Sequence, residues 1–116
     1  MYAYCATTII DQIASPNGKL KAVLFQIDCG ATTAFNSHVA IVPSNLDTSQ
    51  KDALPQSFFA ADGNNGRAPA GNGGGPEVRL HWQAEDRLKL NYHNSVRLIR
   101  AETKSEGVTI DYQTFR

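Results

Sequence analysis

Apolar and polar residues alternate with a period of two along much of this chain. Val78, Leu80 and Trp82 share one face, against Glu77, Arg79, His81 and Gln83 on the other. Leu88, Leu90 and Tyr92 oppose Arg87, Lys89, Asn91 and His93 in the same way, and Val108, Ile110 and Tyr112 oppose Thr109, Asp111 and Gln113. Side chains of a strand point to opposite faces of its sheet in turn, so this spacing is that of half-buried β-strands. Antiparallel sheets with one wet face read this way. Eight strands are expected, near residues 6–13, 19–28, 36–43, 57–61, 77–83, 87–93, 96–103 and 108–114. The expected fold is all-β: one domain over residues 1–116, an antiparallel β-sandwich or strongly twisted meander sheet of about seven or eight strands, its C-terminal half a four-strand meander.

The linkers support hairpins. Ser15-Pro16-Asn17-Gly18 and Lys104-Ser105-Glu106-Gly107 each end in the glycine that a left-handed turn position favours. Asp47 to Leu54 reads as one short helix, capped by Asp47 and closed by Pro55. Residues 62–76 break the rhythm, holding six of the nine glycines and no large apolar side chain. Such a stretch offsets little of its ordering entropy by burial, and a flexible loop is expected there. The loop is not a dinucleotide fingerprint, because it runs through Pro76 into a strand rather than opening a helix.

Composition narrows the function classes. Eleven Lys and Arg balance eleven Asp and Glu. A neutral chain lacks the cationic excess on which non-specific nucleic-acid binding depends, so no nucleic-acid partner is expected. No apolar run approaches the roughly 20 residues of a spanning helix. His38, His81 and His93 fall in no zinc-binding spacing, and no metal or cofactor is expected. Matching the apolar faces of the second hairpin sets Leu80 opposite Leu90, Trp82 opposite Leu88, His81 opposite Lys89 and Glu77 opposite His93. The charges then read as both signs spread along wet strand faces.

The first hairpin carries a redox expectation. A type I turn with a glycine bulge pairs Ser15 with Lys19. In that register Ile13 faces Lys21, Ile9 faces Phe25, and Cys5 faces Cys29. Directly opposed residues are within reach of an S–S bond, so a Cys5–Cys29 disulfide is expected, against the alternative of two free thiols. The bond would imply an oxidising compartment.

Ser15-Pro16-Asn17-Gly18-Lys19, Phe25 and the string Asp28-Cys29-Gly30-Ala31-Thr32-Thr33 resemble a family of small uncharacterised bacterial proteins. That family reads SPDGK, then F-x-x-DCGATT-x-F. The resemblance continues through Gly73-Gly74-Gly75-Pro76-Glu77-Val78, Trp82 and Val108-Thr109-Ile110-Asp111-Tyr112, over about residues 12–115. It implies a domain of unknown function, often exported or lipoprotein-like, and no catalytic residues. Asn17 stands where the family has Asp, and Met1–Cys5 is too short for a signal peptide. Two expectations follow: an extracytoplasmic protein whose signal has been removed, or a cytoplasmic member of the kind found in mobile gene cassettes.

The leading functional expectation is a non-enzymatic module that binds a protein or small-molecule ligand. Its candidate surface comprises Cys29, Gly30, Thr32, Thr33 and Phe35 together with Arg67 in the glycine loop. These are the non-repetitive segments, and binding residues concentrate on loops held by a rigid scaffold. One alternative is a small hydrolase with a site near Asp28, Thr32, Thr33 and His38. Another is a homodimer paired through edge strands.

Overall fold

Two runs depart from the alternation: Ala22-Val23-Leu24-Phe25 and Val39-Ala40-Ile41-Val42 contain no polar residue. A strand apolar at successive positions must bury both faces. The computed structural model describes residues 6–28, 36–49 and 54–116, and both runs lie inside a five-stranded sheet. Its strands are β1 (Ala6–Ala14), β2 (Leu20–Asp28), β3 (Asn36–Pro43), β4 (Phe59–Asp62) and β7 (Arg97–Ala101), side by side in that order. A four-stranded sheet holds β5 (Val78–Ala84), β6 (Arg87–His93), β9 (Val108–Phe115) and β8 (Lys104–Ser105), also in that order.

The sheets pack face to face, as the sandwich expectation required. Ala22, Leu24, Val39, Ile41, Phe59 and Ala61 of the first meet Val78, Trp82, Leu88, Leu90, Val108 and Ile110 of the second. The Trp82 indole N–H donates to the carbonyl of Ile13 at 2.9 Å, tying β5 to edge strand β1. Phe59, Tyr92 and Tyr112 form an aromatic cluster with ring centroids 5.5–6.3 Å apart. The Tyr112 hydroxyl donates to the Glu102 carbonyl, and burial pushes its pKa well above the usual phenol range.

The second face of β2 and β3 is also covered. Val23, Phe25, Ala40 and Val42 form a separate outer cluster, with Ile9, Ile27, Leu46 and Leu54 packed against it. The covering chain is tethered at both ends. Ser44 N–H donates to Lys19 O at 3.0 Å, Lys21 Nζ to Leu46 O at 2.9 Å, and Phe58 N–H to Val39 O at 3.0 Å. Where a helix was expected from Asp47, residues 47–49 instead form a turn in which the Asp47 carboxylate accepts from Ser49 N–H and Oγ. Residues 50–53 of that expected helix lie outside the described residues.

Register follows the expectation on the second hairpin: Leu80 faces Leu90, Trp82 faces Leu88, and His81 faces Lys89. Glu77 does not pair with His93 but with Arg79, at 2.7 Å. The first hairpin differs near its turn. Ser15 N–H donates to Leu20 O, so the loop is one residue longer, and Ile13 faces Ala22 rather than Lys21. A bulge at Ile10 restores the expected register, so Ile9 faces Phe25 and Ala6 faces Asp28. The bulge has a packing reason. It puts Ile10 and Ile13, three positions apart, into the same inner core while Ile9 joins the outer cluster. The C-terminal half is not a meander: β7 crosses to the five-stranded sheet beside β4, and β9 pairs parallel with β6. The two-residue strand β8 closes on β9 through Glu106 and Gly107, both at positive φ (52° and 77°). That is the geometry of a tight hairpin turn.

Residues 62–76, where a flexible loop is expected, are tied to the sandwich near Asp62, Asn72 and Pro76. The buried Asp62 carboxylate pairs with Arg97 and accepts from Asn64 N–H. Gln26 Nε2 donates to Asn72 O at 2.8 Å, and Ser37 Oγ to Pro76 O at 2.7 Å. The glycines permit this approach. A Cβ on Gly75 would sit 2.8 Å from the Asn36 carbonyl and 2.7 Å from Gln26 Nε2, whereas one on Gly63 would meet nothing within 4 Å. Gly75→Ala is therefore expected to lower stability by about 1–3 kcal/mol, the usual cost of overpacking. Gly63→Ala is expected to stay within about 0.5 kcal/mol of the wild type. Urea unfolding of the two variants checks both, and equal midpoints would contradict the packed role of the loop.

Candidate functional site

Pairing across the five-stranded sheet aligns one row of residues on its outer face. Ile9 faces Phe25, Phe25 faces His38, His38 faces Ala60, and Ala60 faces Arg100. Ala60 is the smallest member of the row and stands between His38 and Arg100. The rings of Phe25 and His38 stack, with centroids 5.3 Å apart and planes 16° from parallel.

Above this row runs Leu54-Pro55-Gln56-Ser57, the end of the covering chain. Between cover and sheet is a cavity of 220 Å³ lined by Thr7, Phe25, Ile27, His38, Arg100 and residues 54–57. Most of its wall is hydrocarbon, with polar groups gathered at the Arg100 end.

That polar end is fixed by hydrogen bonds. Ser57 Oγ lies 2.9 Å from His38 Nδ1. With the ring proton on Nε2, Nδ1 accepts the serine proton; with it on Nδ1, the ring donates to the hydroxyl. Arg100 Nη1 donates to Ser57 O at 3.0 Å. With the Gln56 amide oxygen turned towards it, Gln56 accepts from Nη1 at 2.9 Å and from Nη2 at 2.6 Å. Burial, and after it the Arg100 charge, holds His38 below its ordinary pKa of 6.5. The ring is thus neutral at pH 7, and among the described residues Arg100 is the cation of the cavity lining.

The candidate residues from sequence meet this site only in part. Cys5, Cys29, Gly30, Thr32, Thr33 and Phe35 lie outside the described residues. Their flanking strands end beside the cavity, which Ile27 and His38 line. Of the hydrolase set, His38 lines the cavity; Thr32 and Thr33 are outside the described residues, as is the Asp28 side chain. Arg67 is exposed on the turn at residues 64–67 and does not line this cavity. Ser57 and Arg100 were not anticipated. Ser57 sits in a short polar segment with no motif, and Arg100 looks like one more charge on an alternating strand.

The chain has no counterpart among protein-family models, curated proteins or solved structures. Among the described residues, no three His, Cys, Asp or Glu side chains gather as a metal site, and no helix is long and apolar enough to cross a membrane. Edge strand β7 exposes Leu98 and Ile99. It also carries a bulge at Ile99, Arg97 and Arg100, features that discourage edge-to-edge pairing.

The His38 environment has a pH consequence. Its folded-state pKa is depressed, so the neutral ring contributes stability above about pH 6.5 that is lost as pH falls towards the folded-state pKa. Replacing Arg100 by Met is expected to raise the His38 pKa while leaving it below 6.5, because burial is the larger cause. Titration of the imidazole resonances by NMR measures both values, and an unchanged or lower pKa in the variant would contradict the assignment.

Proposed function

We propose that the chain is a non-enzymatic binding module and that its ligand is a small organic molecule held between the outer face of the five-stranded sheet and Leu54–Ser57. One observation carries this reading. A sheet face otherwise sealed by Leu46 and Leu54 keeps a cavity with apolar walls and one hydrogen-bonded polar end. Ligand sites commonly have this composition, mostly hydrocarbon with a few placed polar groups. A fragment screen by two-dimensional NMR tests the reading. Binders are expected to shift the backbone amides of Ile27, His38, Ser57 and Arg100 together. Binders that shift only other surfaces would overturn it.

The contact between Ser57 and His38 favours a second reading, a hydrolase with Ser57 as nucleophile and His38 as base. A neutral imidazole beside a hydroxyl is the starting state for such a step. The binding reading predicts that a fluorophosphonate probe leaves Ser57 unlabelled. Labelling that disappears in Ser57→Ala would replace binding with catalysis.

The register from Ile9–Phe25 to Ala6–Asp28 supports the expected Cys5–Cys29 disulfide, since the next pair in that direction would be the two cysteines. With the bond would come an extracytoplasmic setting. Intact mass without reductant is expected to fall two hydrogens short of the dithiol; two alkylatable thiols would contradict it.

A further inference from the structure

The donors of Arg100 are unevenly used. A guanidinium offers five N–H groups in a fixed fork. Gln56 takes the end formed by Nη1 and Nη2, and Ser57 O takes the other Nη1 proton. Nε–H and the adjacent Nη2–H have no acceptor among the described residues. These two protons are parallel and spaced to match the two oxygens of one carboxylate. With the Gln56 amide oxygen turned towards it, three hydrogen bonds hold the guanidinium in place, so little rotamer entropy remains to be lost when a ligand arrives.

We infer that the cavity takes a small monocarboxylate, its two oxygens received by the Nε and Nη2 side of Arg100 and its apolar part lying on Phe25, Ile27, Leu54 and Pro55. The inference rests on the reading of this cavity as the ligand site. Size limits the ligand. An apolar cavity of about 150 Å³ accommodates benzene, so 220 Å³ suits a phenylacetate or a straight chain of about eight carbons. Charge limits it further. Among the described residues Arg100 is the one cation of the lining and His38 adds none while neutral, which matches a monoanion better than a phosphate dianion. Among the described residues the lining has no Asp or Glu, so these residues offer no carboxylate to a divalent cation. Its long hydrocarbon wall leaves the many hydroxyls of a sugar without partners.

Calorimetry and NMR with phenylacetate, octanoate and their neutral amides test the inference on the wild-type protein. The acids are expected to bind at least tenfold more tightly than the amides. The shifts should include the Arg100 Nε–H resonance. Arg100→Met is expected to abolish the preference, and Arg100→Lys, which keeps the charge and loses the fork, to retain only part of it. Equal affinity of acid and amide, with shifts still centred on the cavity, would overturn the carboxylate and leave the site standing. Tighter binding of phenylphosphonate than of phenylacetate would overturn the monoanion in the same way. If none of these probes at millimolar concentration shifts the cavity resonances, the site itself fails, and the inference with it.

Discussion

The architecture depends on β2 and β3 having to hide both of their faces. Buried Val, Leu, Ile or Phe side chains contribute about 1.5–3 kcal/mol each relative to exposure. Ala22, Leu24, Val39 and Ile41 are satisfied by the facing sheet, as in any two-layer sandwich. Val23, Phe25, Ala40 and Val42 are not, because that layer lies on the opposite side. They need a third cover, which the chain between β3 and β4 supplies, anchored to the sheet through Ser44, Leu46 and Phe58.

A cover made of irregular chain seals less completely than a sheet. Its apolar groups, Leu46 and Leu54, close part of the outer face. A cavity remains beneath Leu54–Ser57, and Arg100 from edge strand β7 lines it. The polar end then follows from hydrogen-bond bookkeeping. The peptide carbonyl of Ser57 accepts from Arg100, and the Ser57 hydroxyl, in a residue 4–6% exposed like Asp62 and Gln26, finds His38. Buried polar groups need such partners to avoid a desolvation penalty. The same requirement operates on the inner side, where Gln26 and Ser37 bond the backbone of the glycine-rich segment. Gly73 and Gly75 allow close approach there.

The hairpin of β5 and β6 was legible in the sequence because its strands are wet on one face. The alternation around Trp82 and Leu88 set both face and register, and Leu80 does oppose Leu90. The site was not legible, for three physical reasons. A run such as Val-Ala-Ile-Val reports double burial without naming what covers it. Partners across a sheet come from distant segments: His38 and Arg100 are joined through Ala60 of a third strand. The bulge at Ile10 and the crossing of β7 to the other sheet depend on packing between layers, which local turn chemistry does not encode. In the glycine segment, composition likewise registers missing side chains and not the neighbours that crowd Gly73 and Gly75.

The account turns on the space beneath Leu54–Ser57 being open to a ligand in solution. Intermolecular NOEs from phenylacetate to methyl-labelled protein test this most directly. The predicted result is contact between the ligand ring and the methyl groups of Ile27 and Leu54, with none to Leu88 or Val108 in the core between the sheets. A saturating ligand that gave NOEs to neither Ile27 nor Leu54 would contradict it.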